Sequence, residues 1–115
     1  MMTLFHNPRC SKSREALALL REKNIEPVIR LYIDNPPDST ELRTLLKKLK
    51  MSARNLLRKS EADYKTLGLD NEALSEEQLI EYMVTHPKLI ERPIAIDKNR
   101  AVIGRPPENV LNLIN

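Results

Sequence analysis

An α/β fold is predicted by three observations. Short apolar runs at 3–5 and 28–33 flank an amphipathic stretch at 11–23, and a leucine-spaced block with helix-start signals fills residues 38–86. Beyond it, two more apolar runs, at 94–96 and 101–103, are separated by four polar or charged residues. Strand, helix and strand in quick succession make a right-handed parallel βαβ unit. The later pair reads as an antiparallel hairpin, so the sheet is small and mixed.

The first strand, Thr3-Leu4-Phe5, is apolar enough to be buried on both faces. In the following helix Ala16, Leu17 and Leu20 share one face, and Asn24 is a plausible stop. The second strand, 28–33, ends before Asn35-Pro36-Pro37. Asp38, with Glu41 three positions on, opens a helix carrying Leu42, Leu45, Leu46 and Leu49 at helical spacing. Residues 52–59 read as a second short helix and 62–69 as irregular chain. Ser75-Glu76-Glu77-Gln78 is a capping box opening a helix through Val84. His86-Pro87 closes that block, because a residue before proline resists the α region. Ile94-Ala95-Ile96 and Ala101-Val102-Ile103 form the hairpin through Asp97-Lys98-Asn99-Arg100, and a last helix covers 107–113. This order is that of a thioredoxin-like fold, a single domain over 1–115 with a helical insertion at about 38–86.

Composition narrows the function classes. A chain of 115 residues buries about two-thirds of its unfolded surface without metal or disulfide. No apolar run approaches the length of a membrane span, and the polar residues after His6 do not fit a signal peptide. One cysteine cannot close an intramolecular bridge, so the expected setting is a reducing cytoplasm. With histidines only at 6 and 86, a zinc site of ordinary ligand spacing is not expected. The 19 basic and 16 acidic residues are intermixed, and Phe5, Tyr32, Tyr64 and Tyr82 are too scattered for a base-stacking platform, so nucleic-acid binding is not indicated. Gly68 and Gly104 cannot make a glycine-rich phosphate loop.

The chemistry-bearing stretch is His6-Asn7-Pro8-Arg9-Cys10-Ser11-Lys12-Ser13-Arg14, which places the only cysteine where a strand becomes a helix. A free thiol is only about 3% ionised at pH 7, and open N–H groups at a helix start favour its thiolate. Arg9, Lys12 and Arg14 crowd that start, where each cation costs about 0.3–1 kcal/mol. A locally unfavourable choice of this kind marks a place where an anion belongs: the Cys10 thiolate, an anionic ligand, or both in turn. The alternative is an inert, buried cysteine among solvated charges. Charged neighbours on both sides leave little apolar surface for that burial. His6 is either a hydrogen-bonded structural residue or a source of a hydrogen bond or charge near the thiol. Ser13 stands where a Cys-x-x-Cys enzyme has its resolving cysteine, so any disulfide chemistry needs an external thiol.

Arg58, Arg92 and Arg105 sit at punctuated positions, the last two directly before proline. Guanidinium is a planar, permanently charged fork suited to tetrahedral oxyanions; solvated or helix-capping arginines are the ordinary alternative. Taken together, these residues resemble the glutathione- and glutaredoxin-coupled arsenate reductases of thioredoxin-like fold, in particular a shorter branch of that family. The signature of histidine, three residues, cysteine, three residues, arginine is met by His6, Cys10 and Arg14. Tyr32-Ile33-Asp34-Asn35-Pro36-Pro37, Leu56-Leu57-Arg58-Lys59, His86-Pro87 and Arg92-Pro93-Ile94 are similar to further family segments.

The resemblance implies that Cys10 is the nucleophile, that His6 and Arg14 help keep it ionised, and that Arg58, Arg92 and Arg105 hold the arsenic oxyanion. It also implies that Pro93 is a cis proline of the fold. It makes arsenate the substrate, glutathione the co-substrate and glutaredoxin the protein partner, with no bound cofactor, no metal and a role in arsenic detoxification. Around the cysteine this chain carries Arg9, Ser11 and Lys12 where such reductases typically have small residues. Two other functions suit the same fold. A glutathione-dependent monothiol oxidoreductase would use Cys10 without needing three arginines. A non-enzymatic regulator would bind RNA polymerase, although redox-sensing members of that kind use the Cys-x-x-Cys pair that Ser13 breaks.

Overall fold

The computed structural model describes residues 1–114. Its chain divides into two compact units, residues 1–35 together with the chain from Arg92 onward, and Pro36–Glu91. The first unit holds the sheet, and the second is helical apart from one isolated bridge.

The first unit is organised around β1 (Thr3–Phe5), which leads into α1 (Ser11–Glu22) and β2 (Val28–Arg30). After the helical unit come β3 (Ile94–Ile96), β4 (Ala101–Ile103) and a 3-10 helix at Pro107–Leu113. The sheet order is β2-β1-β3-β4, with β1 parallel to β2 and antiparallel to β3. Leu4 therefore lies between Ile29 and Ala95 in register. It packs in a core with Ala16, Leu20, Ala95, Val110 and Leu113. Burying Leu4 and Leu20 completely contributes about 1.5–3 kcal/mol each. Asn24 adopts the left-handed conformation, φ 62°, just past α1, as an asparagine beyond a helix end can.

The second strand is shorter than the apolar run from 28 to 33 predicts. Asp34 and Asn35 turn back to donate N–H bonds to the Leu31 carbonyl, at 3.1 and 2.9 Å, and this takes Leu31 out of the ladder. As an edge strand, β2 also leaves Val28 and Ile29 exposed. The last stretch forms where predicted, but as a 3-10 helix opened by Pro107.

The helical unit contains α2 (Ser39–Leu49), α3 (Ala53–Leu56), α4 (Ala62–Thr66), α5 (Glu76–Thr85) and a 3-10 helix at Pro87–Leu89. Its start signals work as the sequence predicts. Asp38 accepts the Glu41 N–H at 2.8 Å, and the Ser75–Gln78 capping box closes in both directions at 3.1 and 2.8 Å. Leu42, Leu45 and Leu46 from α2, Leu56 from α3 and Ile80 and Met83 from α5 are buried. The predicted helix at 52–59 stops at Leu56 because Leu57 bridges to Ile90, while Arg58 N–H donates to the Leu89 carbonyl at 2.7 Å. The same contacts carry the unit past His86-Pro87 to Glu91. The stretch 62–69, read from the sequence as irregular, instead contains α4, a helix too short to show a two-turn apolar repeat.

Candidate active site

β1 hands the chain to a turn that sets up the thiol. His6 N–H extends the β1–β2 ladder to the Arg30 carbonyl at 2.9 Å. Asn7 then organises the turn, its carbonyl accepting Cys10 N–H and its side-chain oxygen accepting Arg9 N–H, each at 3.0 Å. Cys10 is the N-cap of α1 in extended conformation, and its carbonyl accepts the first helical bond, from Arg14 N–H at 3.0 Å. The thiol thus stands at the open N–H groups of a twelve-residue helix.

Cys10 is more enclosed than its charged neighbours suggest, with 9% of its surface exposed. Burial is the largest influence on its ionisation and pushes the pKa up. Against it act the Ser13 N–H, a hydrogen bond and the charge from Arg92, and the Lys12 N–H, and together they hold the thiol below its ordinary value. The Arg105 guanidinium also reaches it, with Nη2 4.0 Å from Sγ.

Hairpin register explains why two arginines thirteen residues apart meet at one sulfur. Ile94 pairs with Ile103, so the chain entering β3 and the chain leaving β4 run side by side, bringing Arg92 next to Arg105. Arg105 Nε donates to the Arg92 carbonyl at 2.9 Å, and Gly104 N–H donates to the Pro93 carbonyl at 2.8 Å. A Cβ at Gly104 would lie 2.8 Å from Pro93 Cγ and 3.0 Å from Val110 Cγ1, so a side chain here would press on both. Arg92-Pro93 is cis, as the resemblance implies, and so is Arg105-Pro106, which the sequence did not announce.

His6 and Ser13 form a buried pair behind the turn. His6 Nδ1 lies 2.6 Å from Ser13 Oγ, which also accepts Asn7 N–H at 3.1 Å. Burial, followed by the charges of Arg21 and Arg14, lowers the His6 pKa. His6 is therefore neutral at pH 7 and contributes a hydrogen bond, not a positive charge. Arg14 is exposed, and its Nη1 donates to the Pro8 carbonyl at 2.9 Å, bracing the turn. Arg58 belongs to the helical unit, where Nη1 lies 3.1 Å from Glu91 Oε1.

Ser13 is the residue that sequence reasoning undervalued. It was legible as the missing second thiol, yet its N–H favours the Cys10 thiolate and its hydroxyl ties His6 to Asn7. The available signal was Cys10 as N-cap, because the N2 and N3 N–H groups, here Lys12 and Ser13, then turn toward the capping side chain.

A thioredoxin-like fold with one thiol at a helix start, and guanidinium groups from a hairpin beside it, defines a monothiol protein prepared for anionic chemistry. The chain belongs to the ArsC family, whose sequence profile matches residues 5–113. It is 54% identical over 112 residues to the uncharacterized protein YfgD of Escherichia coli strain K12, covering 96% of this chain and 94% of that one. It is 47% identical over 108 residues to the arsenate reductase of Neisseria meningitidis serogroup A, covering 93% and 92%. The solved structure of an arsenate reductase from Vibrio cholerae superposes with a TM-score of 0.96 at 43% identity, covering 98% of this chain and 97% of that one.

Proposed function

We propose that this protein reduces arsenate to arsenite through a Cys10 thiolate–arsenic adduct, with glutathione and glutaredoxin as external reductants in a reducing cytoplasm. The observation that carries this reading is the Cys10 thiol held below its ordinary pKa with Arg92 and Arg105 beside it. The relatives described as arsenate reductases support the choice of oxyanion.

In this reaction the Cys10 thiolate attacks arsenic, a sulfur–arsenic bond forms, and one arsenate oxygen leaves, protonated, as water. Arg92 and Arg105 neutralise charge on the remaining oxygens. The resemblance adds Arg58 to that set. Glutathione then displaces a second oxygen as water. Attack by a glutaredoxin thiol on the glutathione sulfur forms a mixed disulfide and leaves an electron pair on arsenic. Arsenic passes from the pentavalent to the trivalent state, two thiols are oxidised, and hydrolysis of the remaining adduct releases arsenite and Cys10. With one cysteine in the chain, both reducing thiols come from outside.

The test is NADPH oxidation coupled through glutathione reductase, glutaredoxin and glutathione, with and without arsenate, for the parent and Cys10→Ser. The expected result is arsenate-dependent turnover that disappears in Cys10→Ser. Turnover that survives the substitution, or a folded parent with an alkylatable thiol and no turnover, overturns the reading.

A further inference from the structure

We propose that Glu91 is a positioning residue for the oxyanion: it grips the Arg58 guanidinium at one terminal nitrogen and keeps the other edge of that guanidinium presented to an anion. The assignment deepens the function proposed above and rests on it for the place of Arg58 among the groups that meet the substrate. What the chain itself contributes is an arginine that a carboxylate fixes without using it up.

The fixing begins in the backbone. Leu57 bridges antiparallel to Ile90, with Arg58 N–H donating to the Leu89 carbonyl at 2.7 Å and Glu91 N–H to the Leu56 carbonyl at 3.0 Å. In that register residues 58 and 91 stand diagonally on one face, where long side chains can meet. Arg58 Nη1 lies 3.1 Å from Glu91 Oε1, and the two side chains are only 21% and 23% exposed. The Arg43–Glu77 and Arg21–Glu26 pairs, by contrast, are roughly half exposed. A second difference lies in how the guanidinium is used. Arg43 and Arg21 each turn the Nε–Nη2 edge to their carboxylate, at 3.1 and 2.8 Å and at 2.9 and 3.1 Å, a two-bond arrangement that satisfies both partners. Arg58 gives Glu91 only Nη1, and its Nε and Nη2 make no hydrogen bond among the described residues. A largely enclosed guanidinium with its two-bond edge unspent is a poor choice for a purely structural ion pair. It suits an oxyanion, two of whose oxygens match that edge, and Glu91 has already removed rotamer freedom that Arg58 would otherwise lose on binding. Glu91 thus acts through Arg58 and touches no substrate.

The probe that tests this is inorganic sulfate, a tetrahedral dianion that does not oxidise thiols. The readout is how far sulfate, at constant ionic strength, slows alkylation of Cys10 by neutral iodoacetamide. Saturable protection is expected in the parent. Glu91→Ala should weaken the apparent Kd about three- to tenfold, whereas Glu91→Gln, whose amide oxygen still accepts the Nη1 bond, should stay within about twofold of the parent. In an Arg58→Ala background Glu91→Ala should add nothing, because the group it positions is gone. Without sulfate, the alkylation midpoint against pH should be the same in the parent and in the Glu91 variants, so the effect is on anion binding and not on the thiol. Four results overturn the assignment: no protection in the parent, a loss from Glu91→Ala that is as large without Arg58 as with it, a midpoint that moves with Glu91→Ala, or no rescue by Glu91→Gln. Sulfate bound more tightly by Glu91→Gln than by the parent would also overturn it, making Glu91 a competitor of the anion. Because sulfate binding needs no turnover, such failures would leave the proposed reduction standing. Absence of arsenate turnover with the Glu91 effect intact would overturn the reduction instead.

Discussion

In the helical unit, charged groups are matched to partners that close the structure. Arg43 pairs with Glu77 at 2.8 Å, Glu76 accepts the Ala53 N–H that opens α3, and Arg54 donates to the Leu69 and Asn71 carbonyls at 2.8 Å each. In the first unit, by contrast, Arg92 and Arg105 gather at one sulfur, with Arg9, Lys12 and Arg14 at the adjoining helix start. Like charges in one place cost stability unless an anion joins them. The comparison separates charges that hold a fold together from charges that hold a reaction, and the thiolate is the first anion that Arg92 and Arg105 serve.

Substitutions in the two units should therefore fail in different ways. The largest effect is expected for Arg92→Ala. Removing a charge-assisted hydrogen bond from the site of developing charge costs about 3 kcal/mol, roughly a hundredfold in kcat/KM for arsenate. An Arg92→Ala protein with undiminished kcat/KM would break the contrast. Gly104→Ala should instead act through packing. Its Cβ meets Pro93 and Val110 within 3.0 Å, and overpacking of this kind costs about 1–3 kcal/mol, read as a fall in Tm. In the helical unit, Ser75→Ala removes one arm of the capping box and should cost about 1 kcal/mol in urea unfolding.

The buried His6 gives the comparison a pH axis. Its folded pKa lies below 6.5, so as pH falls the unfolded chain takes up the proton first. The stability this neutral imidazole contributes is present above pH 6.5 and lost as pH falls through the folded value. Urea unfolding should show the parent losing more stability between pH 7.5 and pH 5 than His6→Asn; equal losses would contradict the burial argument.

What was legible in the sequence was what depends on near neighbours. The caps at Asp38 and Ser75, the helix stop at Asn24 and the hairpin at 94–103 each rest on residues a few positions apart. The early end of β2 and the shortness of α3 were not legible. The first depends on a turn that captures the Leu31 carbonyl, the second on a bridge between Leu57 and Ile90, far apart in the chain. The site divides along the same line. Cys10 and its helix start follow from local pattern, and Arg92 and Arg105 from their places beside prolines flanking a hairpin. The neutral state of His6 depends on burial, and the double duty of Ser13 depends on which residue caps α1; no spacing reveals either.

The central claim is that the Cys10 pKa is held below its ordinary value by the Ser13 and Lys12 N–H groups and by Arg92, against the burial that opposes them. Its most direct test is the rate of Cys10 alkylation by iodoacetamide as a function of pH, in the parent and in Arg92→Ala. The account predicts a midpoint below that of an ordinary cysteine in the parent, moving upward when Arg92 is removed. A parent midpoint at or above the ordinary value, or one that Arg92→Ala leaves in place, would contradict it.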